Sequence, residues 1–432
     1  MTRRTSPLVT TLLTLALILT ATAAEAADPI TSLEQVDTWP ADTANAPLGL
    51  APLGLALSPD GQLLYAVAQE FPVRGDDDDE LVVFDTATGD VVGSAPLTFA
   101  NVPATHGFPT DVVLSDDGLW AYVAISKADG STVSAGVDRV DVFDLTIPDA
   151  PAYHATIDTS LANPFGVFEL ELVDGTLYAS SRGNHAVVAI DAASYAVSTI
   201  GVFGRPTGLD LAPDGSTVWV ANRGSVSLAG IDTATDTLAS WTPIPLAGVE
   251  ITAYVAATPD GAGAYVTSAG SGSVAHVEFG NNPPTTIPTG CASLREIETE
   301  SSSRYAFAVC PAEDQLIVID IEPGSPTHDQ IVHAETIDPA RNLGLLVDEH
   351  DGLRVYVSSP AARAISVLEL TCPGGDLDLC LAIADCEANA NNHGQCVSCV
   401  NAVVNAWPMS NSRAQALKSA AGNPNKEPCN PT

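Results

Sequence analysis

A strand-and-turn unit repeated along the chain predicts an all-β fold, a seven-bladed β-propeller followed by a small cysteine-rich C-terminal tail with short helices. Three observations carry this. A proline or glycine, an apolar run and a turn recur as "PLGLALSPDG", "FPTDVVLSDDG", "RPTGLDLAPDG" and "EITAYVAATPDG". A β-branched or aromatic run follows each turn, as in "LLYAVA", "TVWVAN" and "GAYVTS". A third run then closes on an acid, at Asp85, Asp144, Asp191, Asp232, Glu278, Asp320 and Glu369. Short runs of this composition, bounded by Gly, Pro and Asp, are strand signals. One such sheet has two apolar faces and must stack on others. Radial stacking covers those faces and leaves only short edges.

Residues 1–26 read as an export signal. Arg3 and Arg4 precede an apolar stretch from about Leu8 to Ala21, and Ala24-Glu25-Ala26 supplies a small-x-small cleavage site. The span is short for a membrane anchor, so no membrane insertion is expected and the mature chain should be secreted or periplasmic. Residues 27–370 form the propeller. A strand-like stretch from Ile30 to Trp39 precedes blade one and is expected to supply the outer strand of blade seven, which runs out at Leu370. Residues 371–432 form the tail.

All eight cysteines lie after residue 290, an even number in an exported chain, which favours disulfides. Cys291 and Cys310 straddle the blade-six hairpin; a turn centred between Glu300 and Ser301 would set them directly opposite each other. Cys372, Cys380, Cys386, Cys396, Cys399 and Cys429 crowd the tail, where three disulfides would compensate for a small core. Their pairing stays open, and a zinc site in the tail is the alternative.

The chain carries 16 basic and 53 acidic residues, a formal charge of −37. Loss of Arg3, Arg4 and Glu25 with the signal leaves 14 and 52, or −38. Such a surface excludes nucleic acid and anionic membranes as partners and keeps a monomer soluble. GxSxG, HExxH, P-loop and GxGxxG motifs are all absent from the sequence. Cys396 and Cys399 have CxxC spacing without the following histidine of haem attachment.

The few cations are unevenly placed. Arg74, Lys127, Arg139, Arg182, Arg205, Arg223, Arg341 and Arg363 map to the loops opposite the Asp-Gly turns, together with His106 and His185. That face holds the mouth of the central channel, where propeller sites lie. Arg295 maps to neither face clearly, and Arg304 and Arg354 map to the other. Arg182, Arg205, Arg223, His106, His185 and Arg341 are the candidate ligand-binding residues, an anion funnel in which guanidinium forks a carboxylate or phosphate. The competing reading pairs these arginines with loop acids such as Asp76–Asp79 or Asp138. The innermost strands add Asp111, Glu169, Glu171, Asp210, Glu250, Glu296 and Glu298. No cofactor is implied, although a ring of carboxylates could hold a calcium ion in the channel.

The units "RPTGLDLAPDGSTVWVANRGSVSLAGIDTATD" and "LGLALSPDGQLLYAVA" resemble the YVTN-type repeats of secreted bacterial and archaeal propellers, and more distantly the lactonase-like propellers. The resemblance spans residues 47–370 and rests on turn and core positions. It implies a ligand- or partner-binding or scaffold protein, engaging an anionic small molecule or a protein or cell-surface partner. The alternative is a lactonase-like hydrolase that uses a general base or a metal at the channel mouth; the resemblance carries over no catalytic residue, and His106, Glu250 and Arg205 are the candidates by position.

Overall fold

The second run of each repeat is the most apolar, so it must lie mid-sheet with a neighbouring sheet on either face. In the computed structural model, "TVWVAN" (Thr217–Asn222) and "GAYVTS" (Gly263–Ser268) occupy that place and are buried almost throughout. The structure describes residues 33–41, 50–70, 79–97, 107–127, 138–159, 166–280, 283–337, 344–350, 353–370 and 400. Residues 29–380 form one unit. Residues 1–28 with 381–432 form a second, of which only residue 400 is described. The export signal and the tail with its six cysteines therefore lie outside the described residues.

Seven antiparallel sheets make the first unit. Their innermost strands, blades one to seven, are Leu50–Leu57, Gly107–Leu114, Val167–Val173, Pro206–Leu211, Thr252–Ala257, Ile297–Thr299 and Leu345–Asp348. Each packs on the next and the last returns to the first, closing a ring about a central channel. Leu33–Pro40 pairs antiparallel with Ala364–Leu370 and is the outer strand of blade seven. Between residues 33 and 370 the described residues contain no helix.

The Asp-Gly turns do what their composition dictates. Gly61, Gly118, Gly215 and Gly261 sit at φ between 67° and 72°, a left-handed conformation that glycine adopts without steric cost. The aspartates that end the third strands cap the following turns. Asp85 Oδ1 accepts from the amides of Ala87 and Thr88, both at 2.9 Å, and Asp191 and Asp232 do the same for their own turns. They are turn formers, and catalysis is not their task.

Neighbouring blades are latched at two depths. Near the axis, Thr110 Oγ1 donates to Val167 O at 3.0 Å and Thr207 Oγ1 to Ala253 O at 2.6 Å. Farther out, mid-sheet tyrosines reach the next blade's outer turn. Tyr65 donates to Pro148 O (2.9 Å), Tyr178 to Asp236 (2.5 Å) and Tyr265 to Asp329 (2.9 Å).

Cys291 and Cys310 form a disulfide, though not through the expected register. The ladder pairs Ile297 with Ala308 and Thr299 with Ala306, which centres the turn between Ser302 and Ser303. Cys291 thus lies outside the ladder and reaches Cys310 from the segment that leads into the strand. The bond closes a 19-residue separation. Replacing both cysteines by serine should cost about 3 kcal/mol in a denaturant titration; an unchanged midpoint would mean that the hairpin is equally well ordered without the bond.

Candidate functional site at the channel mouth

One end of the ring collects the segments that lead into the innermost strands and the turns between second and third strands. In blade four the two are stitched together. Arg223 N–H donates to Arg205 O and Gly224 N–H to Gly204 O, both at 3.0 Å. Arg205 is held at φ +49° and its own N–H donates to His185 Nδ1 at 3.2 Å. This sets Arg205, Arg223 and His185 side by side. In blade three, Arg182 N–H donates to Gly166 O at 3.3 Å, and its guanidinium lies over the ring of Phe168, 5.3 Å from the centroid. Arg295 joins them from blade six, its N–H bound to Val309 O.

The Arg223 guanidinium feels all of this. Burial depresses its pKa first, and then the positive charges of Arg182, Arg295 and Arg205. Four arginines therefore share one mouth in a strongly acidic protein.

Below them the channel turns acidic. Tyr254 faces it from blade five, its hydroxyl pKa pushed up by burial and then by Glu296 and Glu169. Asp111, Glu169, Glu171, Asp210 and Glu298 follow on the innermost strands, where alternate side chains face the axis, and Glu296 stands just ahead of the blade-six strand. Each is only partly accessible to solvent, at the channel wall, and otherwise enclosed by protein. Burial raises the pKa of every one, Asp111 to about 7 and Asp210 to about 6. Neighbouring carboxylates push Glu169, Glu171, Glu296 and Glu298 further up.

Four of the six cap backbone amides across a blade boundary. Asp111 accepts from Leu170 N–H at 2.9 Å, Glu169 from Leu209 N–H at 2.6 Å, Asp210 from Ala257 N–H at 2.5 Å, and Glu296 from Leu345 N–H. Innermost strands are sheet edges with unpaired donors, and these carboxylates satisfy them. Among the described residues, no three channel carboxylates bring their oxygens within 4.8 Å of one another. Asp111, Glu169, Asp210 and Glu296 thus serve as edge caps.

Not every expected residue can be placed at this mouth. His106, Arg341 and Arg74, and the side chain of Lys127, lie outside the described residues. Arg139 is buried, and its Nε binds both oxygens of Asp141 at 3.0 and 3.1 Å, so it is neutralised between blades one and two. Glu250 is exposed, and its N–H donates to Ser268 Oγ at 3.2 Å. Phe168, Tyr254 and the placement of Arg295 were not foreseen.

A groove of about 560 Å³ opens on the opposite face between blades one and two. Its carboxylates include Asp60, Asp85 and Asp117, which are held in the turns: Asp60 by Ser58 and Gln62, Asp117 by Ser115 and Leu119. That groove is lined by turn chemistry.

These features define the class, a seven-bladed propeller with a cationic mouth over an acidic channel. Comparison with known proteins adds the fold and no more. No family model matches the chain, and no curated protein does. Among solved structures, a chain of hydrazine synthase from Kuenenia stuttgartiensis is similar in fold, with a TM-score of 0.59 over 76% of this chain and 96% of that one. The two are 15% identical, which speaks for shared architecture alone.

Proposed function

We propose that the protein is an exported binding propeller whose channel mouth captures an anionic group, a carboxylate or phosphate, on a small molecule or on a partner's surface. The convergence of Arg182, Arg205, Arg223 and Arg295 carries this reading. A cluster of like charges attracts an anion, and guanidinium binds carboxylate and phosphate through paired, charge-assisted hydrogen bonds. The protein's overall negative charge does not defeat this, because charges beyond about 8 Å are screened at physiological salt. The YVTN-like repeats agree with a scaffold that presents such a mouth. The disulfide agrees with an oxidising compartment, and no helix among the described residues is long and apolar enough to cross a membrane.

Phosphate and di- and tricarboxylates should raise the melting temperature of the wild type in a salt-dependent way. Arg182→Ala with Arg223→Ala should weaken binding at least tenfold, since each charged hydrogen bond contributes about 1.5–3 kcal/mol. Equal ligand stabilisation in the variant would remove the arginines from the site. The hydrolase alternative is tested in the same preparation: turnover of a lactone panel that depends on Arg205 would replace capture by catalysis.

A further inference from the structure

A second cluster of chemistry lies far out on the ring, between blades five and six. His276 stands on the third strand of blade five, Ser273–Glu278, directly across the ladder from Tyr265. His328 and Asp329 end the turn that leads into the outer strand of blade six, Gln330–Thr336. His276 Nδ1 lies 2.9 Å from Asp329 Oδ2, and His328 Nε2 lies 3.8 Å from Asp329 Oδ1. The His276 ring stacks on Tyr265 at 4.3 Å and meets His328 edge-on at 5.5 Å.

We propose that His276, His328 and Asp329 form a binding site for a single zinc-class divalent metal ion bridging the fifth and sixth blades. One ligand atom from each residue already lies within 4.8 Å of the other two. Around a four-coordinate zinc with bonds near 2.1 Å, ligand atoms stand about 3.4 Å apart, so small side-chain rotations complete the set. Two imidazoles and one carboxylate select a borderline ion such as zinc over calcium or magnesium, which prefer all-oxygen sites.

Two observations separate this from a purely structural contact. The Tyr265–Asp329 latch has a counterpart between blades three and four, where Tyr178 donates to Asp236. There, Ala189 faces Tyr178 across the ladder and Thr235 precedes the aspartate. The latch therefore needs neither histidine, and at blades five and six it has acquired two. Second, His328 Nδ1 is buried without a hydrogen-bond partner. With Nε2 also beyond hydrogen-bond distance of Asp329, the His328 ring is not fixed by bonds of its own and can turn to present a nitrogen to an ion.

The surroundings are those of a held site. Tyr265 O–H orients the Asp329 carboxylate from behind, as outer-shell donors do for metal-binding carboxylates. Asp320 accepts from Ser325 and Thr327 hydroxyls and from Glu322 N–H, and Asp320 O accepts from Asp329 N–H at 2.8 Å, so the loop carrying His328 is fixed by its own bonds. The His328 side chain is 27% exposed, which leaves a path for the ion and room for a water as fourth ligand.

The test is calorimetric titration of zinc chloride into the full chain with its disulfides intact, for the wild type, His276→Gln and His328→Gln. Both variants retain the Tyr265–Asp329 latch. The expected result is wild-type binding at this site that weakens at least tenfold in each variant. Cobalt(II) should then give the visible spectrum of a four-coordinate N/O site in the wild type alone. Zinc should also shift the imidazole resonances of two of the eight histidines in the wild type, a readout independent of any variant. Absence of wild-type binding overturns the proposal. So does binding that is unchanged in both variants, which would place the metal elsewhere, among the tail cysteines or the surface acids.

Discussion

Glu298→Gln should raise the melting temperature by a few degrees at pH 8 and leave it nearly unchanged at pH 4.5. Glu298 faces the channel among Asp210, Glu296, Glu171 and Asp111, and burial followed by those four charges lifts its pKa well above the usual 4.5. Among the described residues no cation pairs with it, unlike the buried Asp141 with its Arg139. A carboxyl group whose folded pKa is raised takes up its proton more readily in the folded chain than in the unfolded one. Its ionisation therefore works against folding. Stability is complete below the unfolded pKa, declines as pH rises from about 4.5, and reaches its floor once pH passes the folded pKa. The decline for Asp111 runs from its unfolded value of 3.8 to about 7, and for Asp210 to about 6. The wild type should thus melt higher at pH 5 than at pH 8. Glutamine removes the charge while keeping the shape, and recovers about 1–3 kcal/mol at alkaline pH. A control substitution of the exposed Glu278, with the same net change in charge, separates this effect from general self-repulsion. Equal gains from both would show that the channel carboxylates are ionised at little cost.

The strands and their turns could be read from the sequence because their signals are local: Asp-Gly pairs, β-branched runs and closing acids each act within about ten residues. The cation-rich face was readable for the same reason, since Arg182 and Arg223 stand at equivalent places in two repeats, and the structure brings them together with Arg205 and His185. What failed was register. Innermost strands carry bulges, between Pro109 and Asp111, Val167 and Leu170, Pro206 and Leu209, and Thr252 and Val255. Each bulge exchanges the faces of the residues beyond it, so no count along the strand could say that Tyr254 faces the axis. A two-residue error in the blade-six turn likewise hid Arg295. Arg139 was misplaced for a different reason: Asp141, two residues on, shares its face of the strand, and that spacing alone suggests neutralisation. The histidine pair was invisible because His276 and His328 are 52 positions apart and meet only where two blades touch.

Gly208→Ala should destabilise the ring and loosen the arginine mouth together. Gly208 lies in the innermost strand of blade four, two residues beyond the Arg205–Pro206 bond, packed directly against the backbone of blade five. A methyl group there would sit 2.5 Å from the Cα of Tyr254 and 2.9 Å from both Ala253 O and Val255 N. All three are backbone atoms, so no side chain can rotate out of the way and the two innermost strands must part. Overpacking of this kind costs about 1–3 kcal/mol, and valine would cost more. Parting the strands also stretches the bond from Thr207 Oγ1 to Ala253 O and the cap from Asp210 to Ala257 N–H, which span the same boundary. Arg205 and Arg223 ride on blade four and Tyr254 on blade five, so anion affinity should fall along with the denaturation midpoint. Gly201 provides the comparison: it is exposed, with open space where a Cβ would go, and Gly201→Ala should change neither quantity. Loss of stability with full retention of anion binding would show that the mouth is built by blades three, four and six without help from the fifth. Retention of both would mean that the ring yields at this boundary without strain, and the close packing of glycine against backbone would then have no mechanical role.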